Sequence, residues 1–226
     1  MFERKEVTMK ILITGFDPFG GETINPAYEA VKKLPDVIDG AEIVKVEVPT
    51  VFGLDGQVLK EKVAAFRPDG VICVGQAGGR NGITPEKVAI NLMEARIPDN
   101  KGNQPFDKKV EEDGPAAYFT SLPVKAMVKS MKAVGIPASV SYTAGTFVCN
   151  DLMYRLLHLI NTEYPEMKGG FIHVPFLPQQ TVDIKGGAPS MSAEDIAAGL
   201  KAAVETFIKD LKSLPLEEGE TAGITH

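Results

Sequence analysis

The sequence predicts an α/β fold, a three-layer α/β/α sandwich around a central, largely parallel (mixed) sheet. Three observations carry that expectation. Short β-rich runs alternate with amphipathic helical stretches, the pattern of a parallel sheet covered by helices on both faces. One run, Gly70-Val71-Ile72-Cys73-Val74-Gly75, is continuously apolar between glycines, as an interior strand buried on both faces should be. The chain of 226 residues, 44% hydrophobic and 24% charged, is long enough for one domain with a sizeable core.

The elements follow in order. Lys10-Ile11-Leu12-Ile13-Thr14 reads as a buried strand. Residues 26–34 place Ala27, Ala30, Val31 and Leu34 at helical spacing. Residues 42–48 alternate as a half-exposed strand does, and 54–66 are helical by periodicity, ending near Pro68. After the glycine-bounded strand, residues 87–93 are expected to form another. Residues 97–120 are rich in Pro, Gly, Asn and charge and read as a long functional or interface loop, because regular elements resume directly after it. Residues 124–134 are expected to be helix and 138–142 strand. A helix over 151–160 gathers Leu152, Met153, Leu156, Leu157 and Ile160 on one face, and a strand covers 171–174. Ser192 opens a final long helix, with Glu194 and Asp195 in its first turn, where the helix dipole favours carboxylates. Residues 1–8 are expected to be an extension or an alternative start, 9–213 one domain, and 214–226 a tail.

Composition narrows the function classes. A formal net charge of -6 argues against nucleic-acid or anionic-membrane partners. Two cysteines, Cys73 and Cys149, are too few for a disulfide scaffold. Residues 1–8 are charged and lack the apolar stretch of a secretory signal, and no apolar run approaches the length of a membrane span. The expectation is a cytoplasmic protein. Three scattered histidines without HExxH or CxxC give little support to a zinc site, and no GxSxG elbow supports a serine hydrolase. No metal and no cofactor are expected.

In such sheets chemistry gathers at the carboxyl ends of the strands. That rule selects residues 15–21, 76–86, 145–150 and 173–178. Cys149 is expected between a strand and an amphipathic helix, where the helix dipole and free N–H groups lower a thiol pKa and can hold an oxyanion. The plainer account is a small buried hydrophobe, and position alone leaves both open. Cys73, between Ile72 and Val74, fits the plainer account much better. His173, at a strand end, can take a thiol proton and return it to a leaving amine; a satisfied core histidine is as good an account. His158, on a helix among leucines, reads as a partly exposed surface residue, and His226 ends the chain. Glu86 can orient the imidazole, although an isolated Glu in a polar loop is usually a solvated turn residue. The loop Gly15-Phe16-Asp17-Pro18-Phe19-Gly20-Gly21 matches neither phosphate-binding spacing, and its two rings suggest a pocket wall or core.

Together these segments resemble pyroglutamyl peptidase I, also called pyrrolidone-carboxylate peptidase, a family of cysteine peptidases. The matching stretches are Thr14 to Gly21, Gly75-Gln76-Ala77-Gly78-Gly79-Arg80, Glu86 to Asn91, Ala95 to Asn100, Ala144-Gly145-Thr146-Phe147-Val148-Cys149-Asn150 and His173-Val174-Pro175. The resemblance runs from about Met9 to about Lys212 and implies a phosphorylase/hydrolase-like sandwich. It implies a catalytic triad of Cys149, His173 and Glu86. It implies that Phe16, Phe19, Asn25, Phe147 and Val148 line a lactam pocket with Gln76, Ile97 and Thr50 nearby, and that Arg96 supports the oxyanion site. The family's usual arginine after the glutamate is Lys87 here. The resemblance further implies a homotetramer acting on peptides with an N-terminal pyroglutamate. A nucleoside-phosphorylase-like transferase and a capped-peptide binding module are the competing classes, since related α/β architectures host several functions.

Overall fold

The computed structural model describes residues 9–213. The expected extension at 1–8, the tail at 214–226 and His226 lie outside them. A six-stranded sheet organises the molecule. Its strands are β1 (Lys10–Phe16), β2 (Val37–Ile38), β3 (Ala41–Val48), β4 (Gly70–Gln76), β5 (Thr84–Pro85) and β8 (Lys168–Val174). Their order is β2-β3-β1-β4-β8-β5. The four long strands run parallel, and the two-residue β2 and β5 close the edges antiparallel, so the sheet is mixed and mostly parallel. Two further strands, β6 (Val88–Ile90) and β7 (Ala117–Phe119), pair with each other in a separate ribbon.

The helices are α1 (Pro26–Lys32), α2 (Leu54–Phe66), α3 (Val124–Ala133), α4 (Val148–Thr162) and α5 (Ala193–Ser213). Two apolar cores flank the sheet. One joins α1, α3 and α5 through residues such as Val31, Met127, Ile196 and Phe207, and the other joins α2 and α4 through Leu59, Val63, Leu152 and Leu156. Along β4 and β8 the side chains alternate between these cores, with Ile72 and Ile172 in the first and Cys73 and Phe171 in the second. An interior strand needs apolar residues on both faces, and this is why residues 70–75 read as one unbroken run.

Four expectations change. Residues 87–93 do not enter the main sheet, because only 88–90 form a strand and they pair with β7 inside the expected loop. Residues 138–142 form no strand, since only isolated bridges join Ala138 to Ile83 and Ser141 to Glu86. Pro85 has no N–H to give to Ser139 O, which interrupts the pairing between the flanking bonds of Ser139 N to Ile83 O at 3.2 Å and Ser141 N to Pro85 O at 3.0 Å. Helix α4 begins at Val148, three residues earlier than its apolar face suggests, so no strand precedes Cys149 directly. Two strands are longer than expected: β1 runs two residues further, to Phe16, and β8 begins three residues earlier, at Lys168.

Candidate active site

The carboxyl ends of β1, β4 and β8 open on one side of the sheet. Here the loop after β1, the loop after β4, the end of β8 and the N-terminus of α4 enclose a cavity of about 540 Å³. Its wall includes Phe19, Gln76, Ala77, Arg80, Arg96, Ile97, Phe147, Cys149 and His173. The four stretches selected at the strand ends therefore converge, as the topology of a parallel sheet requires.

Cys149 is the second residue of α4. The first intrahelical bonds run to Phe147 O from Asn150 N at 3.0 Å and Asp151 N at 3.2 Å. The amides of Val148 and Cys149 come before that ladder, where a helix has donors to spare. Gly145 reaches this turn with φ 79°, a conformation that costs glycine least. The sulfur rests on β4 at Gly75. A Cβ built there would come within 2.9 Å of Cys149 Sγ and 2.6 Å of Phe171 Cζ. Gly75 is paired with His173 across the parallel ladder, and paired residues project to the same face. His173 thus points to the side on which the sulfur lies, and its ring packs on Phe171 at 4.8 Å between centroids.

His173 Nδ1 and Glu86 Oε1 are 2.7 Å apart, and both side chains are nearly or wholly buried. Glu86 follows β5, and its amide donates to Phe171 O at 2.9 Å, which fixes it beside β8. A solvated turn residue is therefore the wrong account of Glu86, which is 0% exposed. A second ionic partner, Arg80, donates to the same Oε1 at 2.7 Å.

Burial works to raise the Glu86 pKa, but the hydrogen bond and charge of His173, with Ser141 and Arg80, outweigh it and hold the carboxyl below its usual range. Burial lowers the His173 pKa and prevails over the pull of Glu86, with Arg80 adding to the lowering. The resting pair is thus an ionised carboxylate and a neutral imidazole. The Cys149 thiol is pushed up to about 12, first by burial and then by the negative charges of Asp55 and Glu86. This direction is opposite to the lowering expected at a helix N-terminus, and its causes are the partial removal of the sulfur from water and the two nearby carboxylates.

The remaining candidates divide by depth. Phe19, Gln76, Arg96, Ile97 and Phe147 reach the cavity surface. Phe16, Asn25, Thr50 and Val148, expected as pocket lining, stand one layer behind it. Phe16 is core and packs on Phe171. Asn25 caps α1 by accepting from Ala27 N and ties the loop by donating to Asp17 O. Thr50 N donates to Asp17 Oδ1, and Val148 is wholly buried. Lys87 sits over the Phe119 ring at 5.8 Å instead of making a forked contact. His158 is half-buried, in keeping with a partly exposed residue, and its Nδ1 lies 3.0 Å from Tyr118 Oη. Sequence reasoning missed Gln180, whose Nε2 donates to Gln76 Oε1 at 3.0 Å, and the ionic role of Arg80. Only the Gly-Gly-Arg stretch after β4 hinted at the latter.

A family model described as pyroglutamyl peptidase matches residues 9–210. A pyrrolidone-carboxylate peptidase of Enterococcus faecalis is 62% identical over 94% of this chain and 100% of its own length. One of Clostridium botulinum is 58% identical over 94% and 99%. Among solved structures, pyroglutamyl peptidase I of Bacillus amyloliquefaciens superposes with a TM-score of 0.86 at 54% identity, covering 89% of this chain and 97% of that one. A mutant pyrrolidone carboxyl peptidase of Pyrococcus furiosus does so with a TM-score of 0.87 at 41% identity, covering 90% and 100%.

Proposed function

The chain belongs to the pyroglutamyl peptidase family, and from that premise we propose that Cys149, His173 and Glu86 carry out its reaction in the cavity just described. The protein is a cysteine peptidase that removes an N-terminal pyroglutamyl residue from peptides. The transferase alternative finds no support in these relatives. The observation that carries the assignment is the buried Glu86–His173 pair beside a cavity that Cys149 also lines.

His173 Nδ1–H donates to Glu86, which leaves Nε2 as the basic nitrogen on the cavity side. The thiol begins protonated, so its proton passes to Nε2 as the sulfur attacks the carbonyl that links pyroglutamate to the next residue. Glu86 stabilises the imidazolium that forms. The amides of Val148 and Cys149, which precede the helix ladder, are the donors for the developing oxyanion, and Arg96 lines the same cavity as Cys149. The imidazolium then protonates the departing amine, the C–N bond breaks, and a pyroglutamyl thioester remains. His173 next takes a proton from water, whose oxygen attacks the thioester and releases pyroglutamate and the thiol.

Substrate choice follows from the walls. Phe147 and Phe19, tilted at 40° with centroids 6.2 Å apart, offer aromatic walls suited to a five-membered ring, and Phe52 braces Phe147 edge-on at 5.3 Å. Gln180 occupies Gln76 Oε1, so Gln76 Nε2 is left to donate to a lactam carbonyl. Proline lacks that carbonyl and leaves the amide unsatisfied, which a buried polar site penalises. The test compares a pyroglutamyl with a prolyl chromogenic amide, before and after thiol alkylation. Cleavage of the pyroglutamyl amide alone is expected, abolished by alkylation or by Cys149→Ala and indifferent to EDTA. Normal turnover by Cys149→Ala would refute the assignment.

Homotetramer formation belongs to the same reading. Phe106 and Phe119, 77% and 70% exposed on the segment expected to be an interface, support it. Sedimentation analysis of the protein and of Phe106→Ser checks it. A cytoplasmic location is likewise proposed; among the described residues no helix is long and apolar enough to cross a membrane.

A further inference from the structure

Arg80 stands outside the three residues to which the reaction is assigned, yet its guanidinium is built into them. Nη1 donates to Glu86 Oε1 at 2.7 Å, and His173 Nδ1 uses that same oxygen at 2.7 Å. Glu86 Oε2 is buried without a hydrogen-bond partner among the described residues. One carboxylate oxygen therefore serves two donors while the other serves none. The guanidinium is itself held from two sides. Nη1 also meets Thr84 Oγ1, and Nη2 donates at 3.2 Å to Thr143 O, in the loop that leads to Cys149.

This geometry has an electrostatic consequence. A wholly buried carboxylate beside a neutral imidazole would carry an uncompensated charge, which is costly. Arg80, with 28% of its side chain exposed, supplies the compensating cation from the rim of the cavity. Its charge also opposes a proton on His173, and by sharing Oε1 it weakens the pull of the carboxylate on the imidazole. The charged and titratable groups around this cluster are Arg80 after β4, Glu86 after β5, Cys149 on α4 with Asp55 on α2 and Cys73 on β4 acting on it, and Glu94 and Arg96 on the cavity wall.

Given the assignment of the reaction to Cys149, His173 and Glu86, we propose that Arg80 is a positioning residue that keeps His173 unprotonated at rest by taking a share of the Glu86 charge. Removing the cation strengthens the Glu86–His173 attraction, so the imidazole protonates at higher pH.

The test measures kcat/KM for a pyroglutamyl amide, and separately the rate of Cys149 alkylation, from about pH 5 to about pH 9. In Arg80→Gln the acid limb of both profiles is expected to move up by about one pH unit. Arg80→Lys, which keeps the charge, is expected to hold the limb near its original pH while kcat falls. A lower rate with an unmoved limb in Arg80→Gln would show that Arg80 only braces the loops and would overturn the proposal. If Arg80→Gln does not fold, Thr84→Val must show a smaller shift in the same direction, and an unmoved limb there overturns it too. Cys149→Ala keeps the two levels apart. If it stays active, the assignment of the reaction fails; if it is inactive while the Arg80 limb stays put, only the role of Arg80 fails.

Discussion

At the scale of single residues, the site depends on groups whose surroundings decide their chemistry. Glu86→Gln keeps the size of the side chain and removes the charge that stabilises the imidazolium. It is expected to lower kcat by about 10²–10⁴-fold with KM nearly unchanged, in steady-state assays beside a check that the fold is intact. Gly75 matters for what it lacks, since even a methyl group would press on Cys149 Sγ and the Phe171 ring. Gly75→Ala is therefore expected to displace the sulfur and slow alkylation and turnover together; unchanged rates of both would disprove the close contact. The lowered His173 pKa places the acid limb of kcat/KM below the ordinary imidazole value of 6.5. Above the limb the imidazole is neutral and active, and below it the imidazole is protonated and cannot accept the thiol proton. A pH profile whose acid limb lies above that value would contradict the burial argument. Cys149 and His173 were visible in the sequence as candidates. Glu86 was not separable from a surface turn, because its burial comes from β8 and the 141–143 segment, which are remote in the chain.

At the scale of elements, α4 is the part that must not move. Asn150 replaces a strand partner for β6: its Oδ1 accepts from Ile90 N at 3.0 Å, and its Nδ2 donates to Ile90 O at 2.9 Å and Leu92 O at 3.0 Å. Asp151 accepts from Gly53 N at 2.8 Å and from Arg155 Nε, which fastens the same helix end to the start of α2. Asn150→Asp would turn two donors into acceptors facing carbonyls. It is expected to cost about 2–3 kcal/mol of stability and to depress activity more than stability alone explains, measured by urea unfolding and by kcat at matched folded fraction. The helix was legible from its apolar face, but its first turn was not. The turn from Val148 to Asp151 is held by the bonds of Asn150 to β6 and of Asp151 to the start of α2, which periodicity does not record. The same blindness turned the β6–β7 ribbon into a loop, since three-residue strands leave almost no alternating pattern.

At the scale of the molecule, the interior sheet makes stability depend on alkaline pH. Cys73 has no exposure, and burial raises its thiol from 9.0 to about 12. Between those values the unfolded chain has lost a proton that the folded chain retains. Stability is therefore complete below pH 9.0 and lost as pH rises towards about 12. One such thiol contributes a slope of at most about 1.4 kcal/mol per pH unit. Cys73→Ala is expected to be less stable at neutral pH and to lose less of its remaining stability between neutral and alkaline conditions, as followed by urea midpoints. Parallel curves for the two proteins would disprove it.

The sequence by itself determined the alternation of strands and helices, the interior strand over 70–75 and the strand-end stretches where chemistry gathers. These are short-range properties, set by side-chain periodicity and backbone preference within a few residues of each position. The tertiary structure alone decided that Glu86 is buried against a histidine 87 residues away, that the Cys149 thiol is raised and not lowered, and that Arg80 joins the pair. The physical reason is that burial and charge depend on neighbours brought together by folding, and the order of residues along the chain does not specify those distances locally.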